Sequence, residues 1–211
     1  MTRTIVITGG TNGIGKALAR HHTERGDQVV AVGSSEEGER RLREAAPKAR
    51  FIRSDLSSLR QTRDLVERLK AEHPAIDALV LAAFRFNPAR VETEEGFEHT
   101  FALTATLQGA KASELLGAAY ASERTKYVLY NPAFVATGLH ESFKQPLHDL
   151  VRVASAVFAQ PVAKALPPIT ALIDQPPTSP LTIWKKGKPI DLAVDRNEAR
   201  RLAGTIRALA P

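Results

Sequence analysis

The chain has no cysteine, which excludes disulfides, a thiolate nucleophile and thiolate metal ligands. Tryptophan and methionine occur once each, and tyrosine three times, among 211 residues. No apolar run approaches the ~18 to 20 residues that cross a bilayer. The opening "MTRTIVITGG" reaches Gly-Gly too soon for the apolar part of a secretion signal. These absences lead to the expectation of a cytoplasmic protein with no membrane partner. The six histidines show no paired metal-ligand spacing, so no metal site is expected. Also missing is any basic run interleaved with aromatics. The net charge is +6, but the basic residues alternate with acids in "EEGERRLREAAPKAR" and "LRQTRDLVERLK", the pattern of solvated helix faces. A nucleic-acid partner is therefore not expected, whereas an anionic small ligand suits the charge.

What the chain does contain is alternation. Short β-branched runs, "RTIVIT", "QVVAV", "ARFIRS" and "DALVLAA", are separated by longer segments of helical period. Strand and helix alternating in this way predict an α/β fold, a Rossmann-type doubly wound parallel sheet with helices on both faces. The near-continuous apolar strands predict burial of both faces, and Leu59, Val66 and Leu69 form the expected buried stripe of the third helix. Gly26 and His73-Pro74 mark helix ends. Further on, the spacing predicts a helix from about Thr93, a strand at Lys126–Asn131, helices over 140–159 and 161–174, a hairpin turning at Gly187, and a last helix from Asp195. With 43% hydrophobic residues, 1–211 is expected to be a single domain, with 140–180 as a substrate lid within it.

"ITGGTNGIG", Ile7 to Gly15, joins the first strand to the first helix. Unpaired N–H groups and the helix dipole converge there, and glycines let a phosphate reach the backbone, so a dinucleotide is the expected ligand. The spacing Gly9-x-x-x-Gly13-x-Gly15 after Thr8 resembles the short-chain dehydrogenase/reductase family. "RSDLSS" is similar to the segment whose aspartate contacts adenine in that family, and "YNPAFVATGL" is similar to its Pro-Gly motif, which touches the nicotinamide carboxamide and diphosphate. The resemblance implies a cofactor site made of Thr8, Gly9, Thr11, Asn12, Gly13, Ile14, Gly15, Ser34, Ser35, Asp55, Leu56, Ala82, Ala83, Lys111, Pro132, Ala133, Val135 and Thr137. NAD sites usually place an acid at the end of the second strand to hold the ribose hydroxyls. Here Gly33-Ser34-Ser35 occupies that place, with Glu36 and Glu37 just after and Arg40 or Arg53 as candidate counter-charges. NADP is therefore the expected cofactor, with NAD as the alternative.

The family pairs a proton-donating tyrosine with a lysine four residues later, and adds a serine and an asparagine. None of the three tyrosines has that lysine: Arg124, Asn131 and Phe134 follow Tyr120, Tyr127 and Tyr130 at four residues. No serine lies between Ser58 and Ser113, Ala82 stands for the asparagine, and Phe84 for a nearby glycine. Aligning "LQGAKASELLGAAYA" with the active-site helix makes Lys111 the catalytic lysine and places Leu107 where the tyrosine would be. Strand five is also missing. One helix from Thr93 to Glu123 would be roughly 45 Å long, and the absent piece would be roughly 30 residues. An omission near 103–106, a truncation and a natural loss are the three explanations. The expected function is hydride transfer between NADP(H) and a carbonyl or alcohol, by a monomer or homodimer acting on a small molecule. The alternative is a catalytically inactive dinucleotide-binding protein, a sensor or scaffold. Tyr127, Tyr130 and Trp184 are expected to pack, and Phe84, Phe86, Phe97 and Phe101 to form core or line a substrate cleft.

Overall fold

A computed structural model describes residues 2–84, 91–92, 107–137, 147–190 and 195–209. The chain divides into two compact units, Met1–Thr104 with Phe134–Leu166, and Ala105–Ala133 with Pro167–Pro211.

The first unit opens with β1 (Thr4–Thr8), α1 (Gly13–Glu24), β2 (Gln28–Gly33), α2 (Glu36–Ala45), β3 (Arg50–Arg53), α3 (Leu59–Glu72) and β4 (Ala78–Leu81). The strands form one sheet in the order β3-β2-β1-β4, every neighbour parallel. The chain steps outward through β2 and β3 and then returns to the far side of β1. This makes the carboxyl ends of β1 and β4 a topological switch point, where open parallel sheets leave a crevice for ligands.

Ile5, Val6, Ile7 and Val29 to Val32 are almost wholly buried, as both-face coverage of the central strands requires. On one face Val6, Val30, Val32 and Ile52 pack with Leu65 and Leu69 of α3. The buried stripe of α3 thus differs from the expected one. Leu65 and Leu69, four apart, point inward, whereas Val66 is a further ~100° round the helix and 42% exposed. Strand β4 is also unlike the expectation from its apolar run. Ala78 and Val80 are partly covered, but Leu79 and Leu81 are 57% and 67% exposed. Composition reads a strand's apolarity and cannot read whether a partner lies against it.

Local signals set the element ends. Asn12, Ser35 and Ser58 are extended residues whose side chains accept a backbone N–H from the first turns of α1, α2 and α3. Gly26 follows α1 at φ +87°, donating to the Thr23 carbonyl, and the His73 N–H closes α3 on Leu69. Both helix stops therefore fall where the sequence placed them.

In the second unit, α4 (Leu107–Tyr120) precedes β5 (Tyr127–Asn131). α5 (Leu147–Phe158) and the start of α6 (Val162–Asp174), up to Leu166, belong to the first unit; the rest of α6, β6 (Leu181–Lys185), β7 (Lys188–Ile190) and α7 (Arg196–Leu209) belong to the second. The sheet runs β5-β6-β7, with β5 parallel to β6 and β6 antiparallel to β7. The hairpin turns at Lys186 (φ +50°) and Gly187 (φ +78°). Two positive φ angles in a two-residue loop are those of a type I′ turn, whose twist matches that of the strands. Asp195 caps α7, its Oδ1 accepting from Asn197 N at 2.7 Å and Glu198 N at 3.2 Å.

The helix expected from Thr93, the suspected seam at 103–106, and Phe86, Phe97 and Phe101 lie outside the described residues. Among the described residues no helix is long and apolar enough to cross a membrane.

Candidate functional site

The switch point is built by glycines that bring backbone against backbone. Gly9, at φ +67°, lies so close to the end of β4 that a Cβ on it would be 2.7 Å from Ala83 Cα and 2.8 Å from the Ala82 carbonyl oxygen. A Cβ on Gly15 would run into the Gly9 carbonyl oxygen. At Gly13, φ +49°, it would meet Thr137 Cβ at 2.8 Å. Three segments named from sequence, the glycine loop, Ala82-Ala83 and Val135 to Thr137, therefore meet in one place. Thr8 ties the first two together. Its hydroxyl donates to the Val80 carbonyl and accepts from Ala83 N, both at 3.4 Å, while Ala82 N donates to the Thr8 carbonyl at 3.2 Å.

Electrostatics favours an anion here. Asn12 Oδ1 accepts from Gly13 N at 2.9 Å, and no acid stands in the first turn of α1. A neutral cap leaves the positive end of the helix dipole uncompensated. The backbone-lined loop, whose close packing a Cβ at Gly9, Gly13 or Gly15 would disrupt, fits a diphosphate.

The neighbouring loops are organised around this cradle. Thr11 lies against Gly33 and Gly38. A Cβ on Gly33 would be 2.6 Å from Thr11 Cγ2, and one on Gly38 would be 2.9 Å from Thr11 Oγ1. Ser35 Oγ accepts from Gly38 N at 3.1 Å, so its hydroxyl caps α2, while Ser34 is exposed. Asp55 Oδ1 accepts from Ser57 N at 3.0 Å and from Ser57 Oγ at 2.7 Å, which gives this aspartate a turn-forming role. Leu56 is partly buried against the Val6–Ile52 cluster, and Val135 is buried and bridged to Gln160. Ile14 is partly covered in the first turn of α1. Sequence reasoning left Gly10 and Gly38 out of the site and named Gly33 only as the place of a missing acid. The Gly9-Gly10 pair was the available signal for the first, since a Cβ on Gly10 would be 2.7 Å from Ala31 Cβ. The contacts of Gly33 and Gly38 with Thr11 could not be found without knowing where Thr11 lies.

Residues 3–112, just over half of the chain, match the short chain dehydrogenase family. The chain belongs to this family. It is 40% identical over 103 residues to a Streptomyces protein provisionally assigned as a daunorubicin C-13 ketoreductase, covering 46% of this chain and 36% of that protein. It is 39% identical over 85 residues to cis-4-hydroxycyclohexanecarboxylate dehydrogenase of Sinomonas cyclohexanicum, with 38% and 34% covered. The matched stretch thus spans about a third of the length of these curated relatives. Among solved structures, 4-hydroxyisoleucine dehydrogenase complexed with NADH superposes with a TM-score of 0.61 at 14% identity, covering 88% of this chain and 98% of that one. A short-chain dehydrogenase from Sphingobium yanoikuyae in complex with NADPH gives 0.56 at 18% identity, with 99% and 94% covered. These likenesses show the fold, the α/β Rossmann fold of the short-chain dehydrogenases.

The second unit of this short-chain dehydrogenase family member holds Lys111, Pro132 and Ala133. Lys111 and Leu107 lie one turn apart on α4. Tyr127 is pushed above the ordinary phenol value by burial, and its ring lies against Gly117 of α4. Burial also raises Tyr130, partly offset by a backbone hydrogen bond at Gly187. Neither is tuned for proton donation near neutral pH, where a lowered pKa is needed. Phe84 is 59% exposed at the end of β4, so it is not core.

Ala133 has φ +63°, with its N–H held by Asn131 Oδ1 at 2.8 Å. Residues bearing a Cβ are disfavoured in this left-handed conformation, which gives a physical reason for a glycine at this place in the family pattern. Ala133→Gly is expected to stabilise the protein by about 1 kcal/mol, strain relief outweighing the entropy cost of glycine. Urea unfolding midpoints of the two proteins would measure it, and a less stable variant would show that the turn carries no strain.

Proposed function

We propose that this protein is an oxidoreductase that transfers hydride between NADP(H) and a carbonyl or alcohol in a small-molecule substrate. The observation that carries the reading is the glycine cradle at the start of α1, backbone-lined and free of acid. In this reading the N–H groups of the loop receive the diphosphate, and Asn12 fixes the first turn of α1 so that those groups point together. Thr8 holds Ala82 and Ala83 at the rim, where the nicotinamide half of the dinucleotide leaves the cradle. Ser34 and Ser35 lie toward the adenosine ribose, while Asp55 and Leu56 frame the adenine side. The family resemblance assigns Pro132, Ala133, Val135 and Thr137 to the nicotinamide end of the cofactor and Lys111 to the nicotinamide ribose. The bound dinucleotide supplies the hydride. NADP is preferred over NAD because no carboxylate occupies Gly33-Ser34-Ser35, and every acid in the first turn of α2 is ion-paired.

The test begins with thermal denaturation in the presence of NADPH and of NADH. A ligand of the native state at 100 times its Kd stabilises by about 2.7 kcal/mol, a rise of several degrees. No shift with either dinucleotide would overturn the proposal. NADPH oxidation is then followed against a panel of ketones and aldehydes, with Lys111→Ala beside the wild type. The expected result is turnover by the wild type and its loss in the variant. Stabilisation by NADPH without turnover across the panel would identify a dinucleotide-binding protein without catalysis.

A further inference from the structure

Strand β4 ends at Leu81, and the chain continues through Ala82 and Ala83 to Phe84. Two hydrogen bonds pin that continuation to β1. Ala82 N donates to the Thr8 carbonyl at 3.2 Å, and Ala83 N donates to the Thr8 hydroxyl at 3.4 Å. The same backbone lies against the glycine loop, where a Cβ on Gly9 would be 2.7 Å from Ala83 Cα. Consecutive Cα atoms are ~3.8 Å apart, so Phe84 Cα is within roughly 6.5 Å of that point on the loop. Residue 84 therefore starts at the rim of the cradle, on a base that Thr8 holds still.

Phe84 combines this fixed base with an uncovered ring, since it is 59% exposed. Leu79 and Leu81 are exposed as well, but they alternate within the strand and share one face of the sheet. Phe84 instead follows the carboxyl end of β4, at the switch point where open parallel sheets take up ligands. The family resemblance implies a glycine at this place, so the ring is a feature of this chain and not of the pattern. Resting on the dinucleotide reading above, we infer that Phe84 forms an aromatic wall for the nicotinamide ring and that this wall favours the oxidised cofactor over the reduced one.

The preference follows from charge. Oxidised nicotinamide is a planar pyridinium cation, whereas the reduced ring is neutral. Both forms gain by covering an exposed phenyl ring, and that gain does not distinguish them. The negative face of the phenyl quadrupole does, because it attracts a cation placed within ~6 Å. At an exposed site the attraction corresponds to about two- to fivefold in affinity. A glycine offers neither the surface nor the quadrupole. A ligand pair bound with unequal affinity shifts its own equilibrium by the same factor, so NADPH held against Phe84 is a stronger hydride donor than NADPH in solution. This direction suits reduction of a carbonyl.

Isothermal titration calorimetry of the intact protein with NADP+ and NADPH, and with NAD+ and NADH beside them, reads the effect without turnover. ADP, which has the diphosphate and no nicotinamide, is the control ligand. Phe84→Leu keeps an apolar side chain and removes the quadrupole. It is expected to weaken the oxidised form by about threefold relative to the reduced form of the same dinucleotide, and to leave ADP unchanged. Phe84→Tyr is expected to keep the wild-type ratio. Neither variant should move the urea midpoint, because the side chain is exposed. An unchanged ratio of oxidised to reduced affinity in Phe84→Leu would overturn the inference. An equal loss for ADP would overturn it too, since the ring would then act at the diphosphate. Failure of the wild type to bind any of the four dinucleotides would instead sink the reading on which it rests.

Discussion

Gly15→Ala is expected to destabilise the protein by about 3 kcal/mol, the upper end of the overpacking range, and to abolish the rise in melting temperature produced by NADPH. The added Cβ would occupy the space of the Gly9 carbonyl oxygen. The oxygen is main chain and the Cβ is fixed by the backbone, so no rotamer change relieves the collision. Gly9 cannot retreat, because it is itself in close approach to Ala82 and Ala83. Relief must come from moving the first turn of α1 or the end of β4, and either displaces the N–H groups proposed to hold the diphosphate. Gly26→Ala is the control. Gly26 is also in the left-handed region, at φ +87°, but nothing lies within 4 Å of a Cβ there. It should cost only the strain of alanine in that conformation, about 1 to 2 kcal/mol, and keep the response to NADPH. Urea midpoints with and without NADPH separate the two effects. A Gly15→Ala protein with an unchanged midpoint would show that the loop relaxes freely, and the account of the cradle as rigid would fail.

Stability should rise with pH below about 6.5, and His22 should be the cause. Its ring is fully buried; Nδ1 lies 2.9 Å from Asp27 Oδ2, and Asp27 is also bound by Arg3, Nη2 to Oδ2 at 2.7 Å. His22 Nε2 is buried and has no hydrogen-bond partner among the described residues. A neutral ring leaves only a lone pair there, whereas protonation would bury an N–H with no acceptor. Burial accordingly lowers the His22 pKa below its ordinary 6.5, opposed by the hydrogen bond and charge of Asp27 and assisted by the charges of His21 and Arg3. For a base with a lowered folded pKa, the unfolded chain binds more protons. Its stabilising contribution is complete above the unfolded pKa of about 6.5 and is lost as pH falls towards the folded value, with a slope of at most ~1.4 kcal/mol per pH unit.

Asp27 acts with the same sign in a lower window. Burial alone would raise its carboxyl, but the hydrogen bonds and charges of Arg3 and His22 hold it below its ordinary value. Its contribution is present above the unfolded carboxylate range and lost as pH falls through the lower folded value, below the range in which the histidine acts. His22→Asn, whose amide nitrogen can still donate to Asp27, should be less stable at pH 7 by about 2 kcal/mol for the lost ring volume. It should also have a flatter dependence on pH. Unfolding midpoints at half-unit steps would reveal this. An unchanged slope in His22→Asn would assign the pH dependence to other groups.

The parts of the molecule that follow from period and punctuation were legible in the sequence. Alternating apolar runs placed β1 to β4, Gly26 and His73-Pro74 placed two helix ends, and Gly187 placed the hairpin turn. The cradle was legible because glycine, strand and helix occur there in one order that physics connects to an anion. What was illegible depends on contact across the fold. Val66 against Leu65 is a matter of helix phase, which shifts by ~100° per residue and is decided by the facing strand. Leu79 and Leu81 carry the composition of buried strand residues and yet are exposed. Arg40 and Arg53 looked equivalent as counter-charges. The structure separates them, since one is bound along its own helix and the other reaches from the next strand. No stretch of sequence near His22 announces Arg3 and Asp27 as its companions, because the three come together only when β1 and β2 pair.

Thr11 touches both Gly33 and Gly38, and this links two ends of the cradle mechanically. The loop proposed to receive the diphosphate and the loop proposed to approach the ribose share one side chain. Neither can be reshaped by a ligand without the other feeling it. Much of the entropy of ordering both loops is therefore already spent in the folded chain, before any nucleotide arrives. A ligand fragment that engages only the diphosphate end should pre-set the ribose end for the next one, so two halves of a dinucleotide added separately would bind with positive cooperativity.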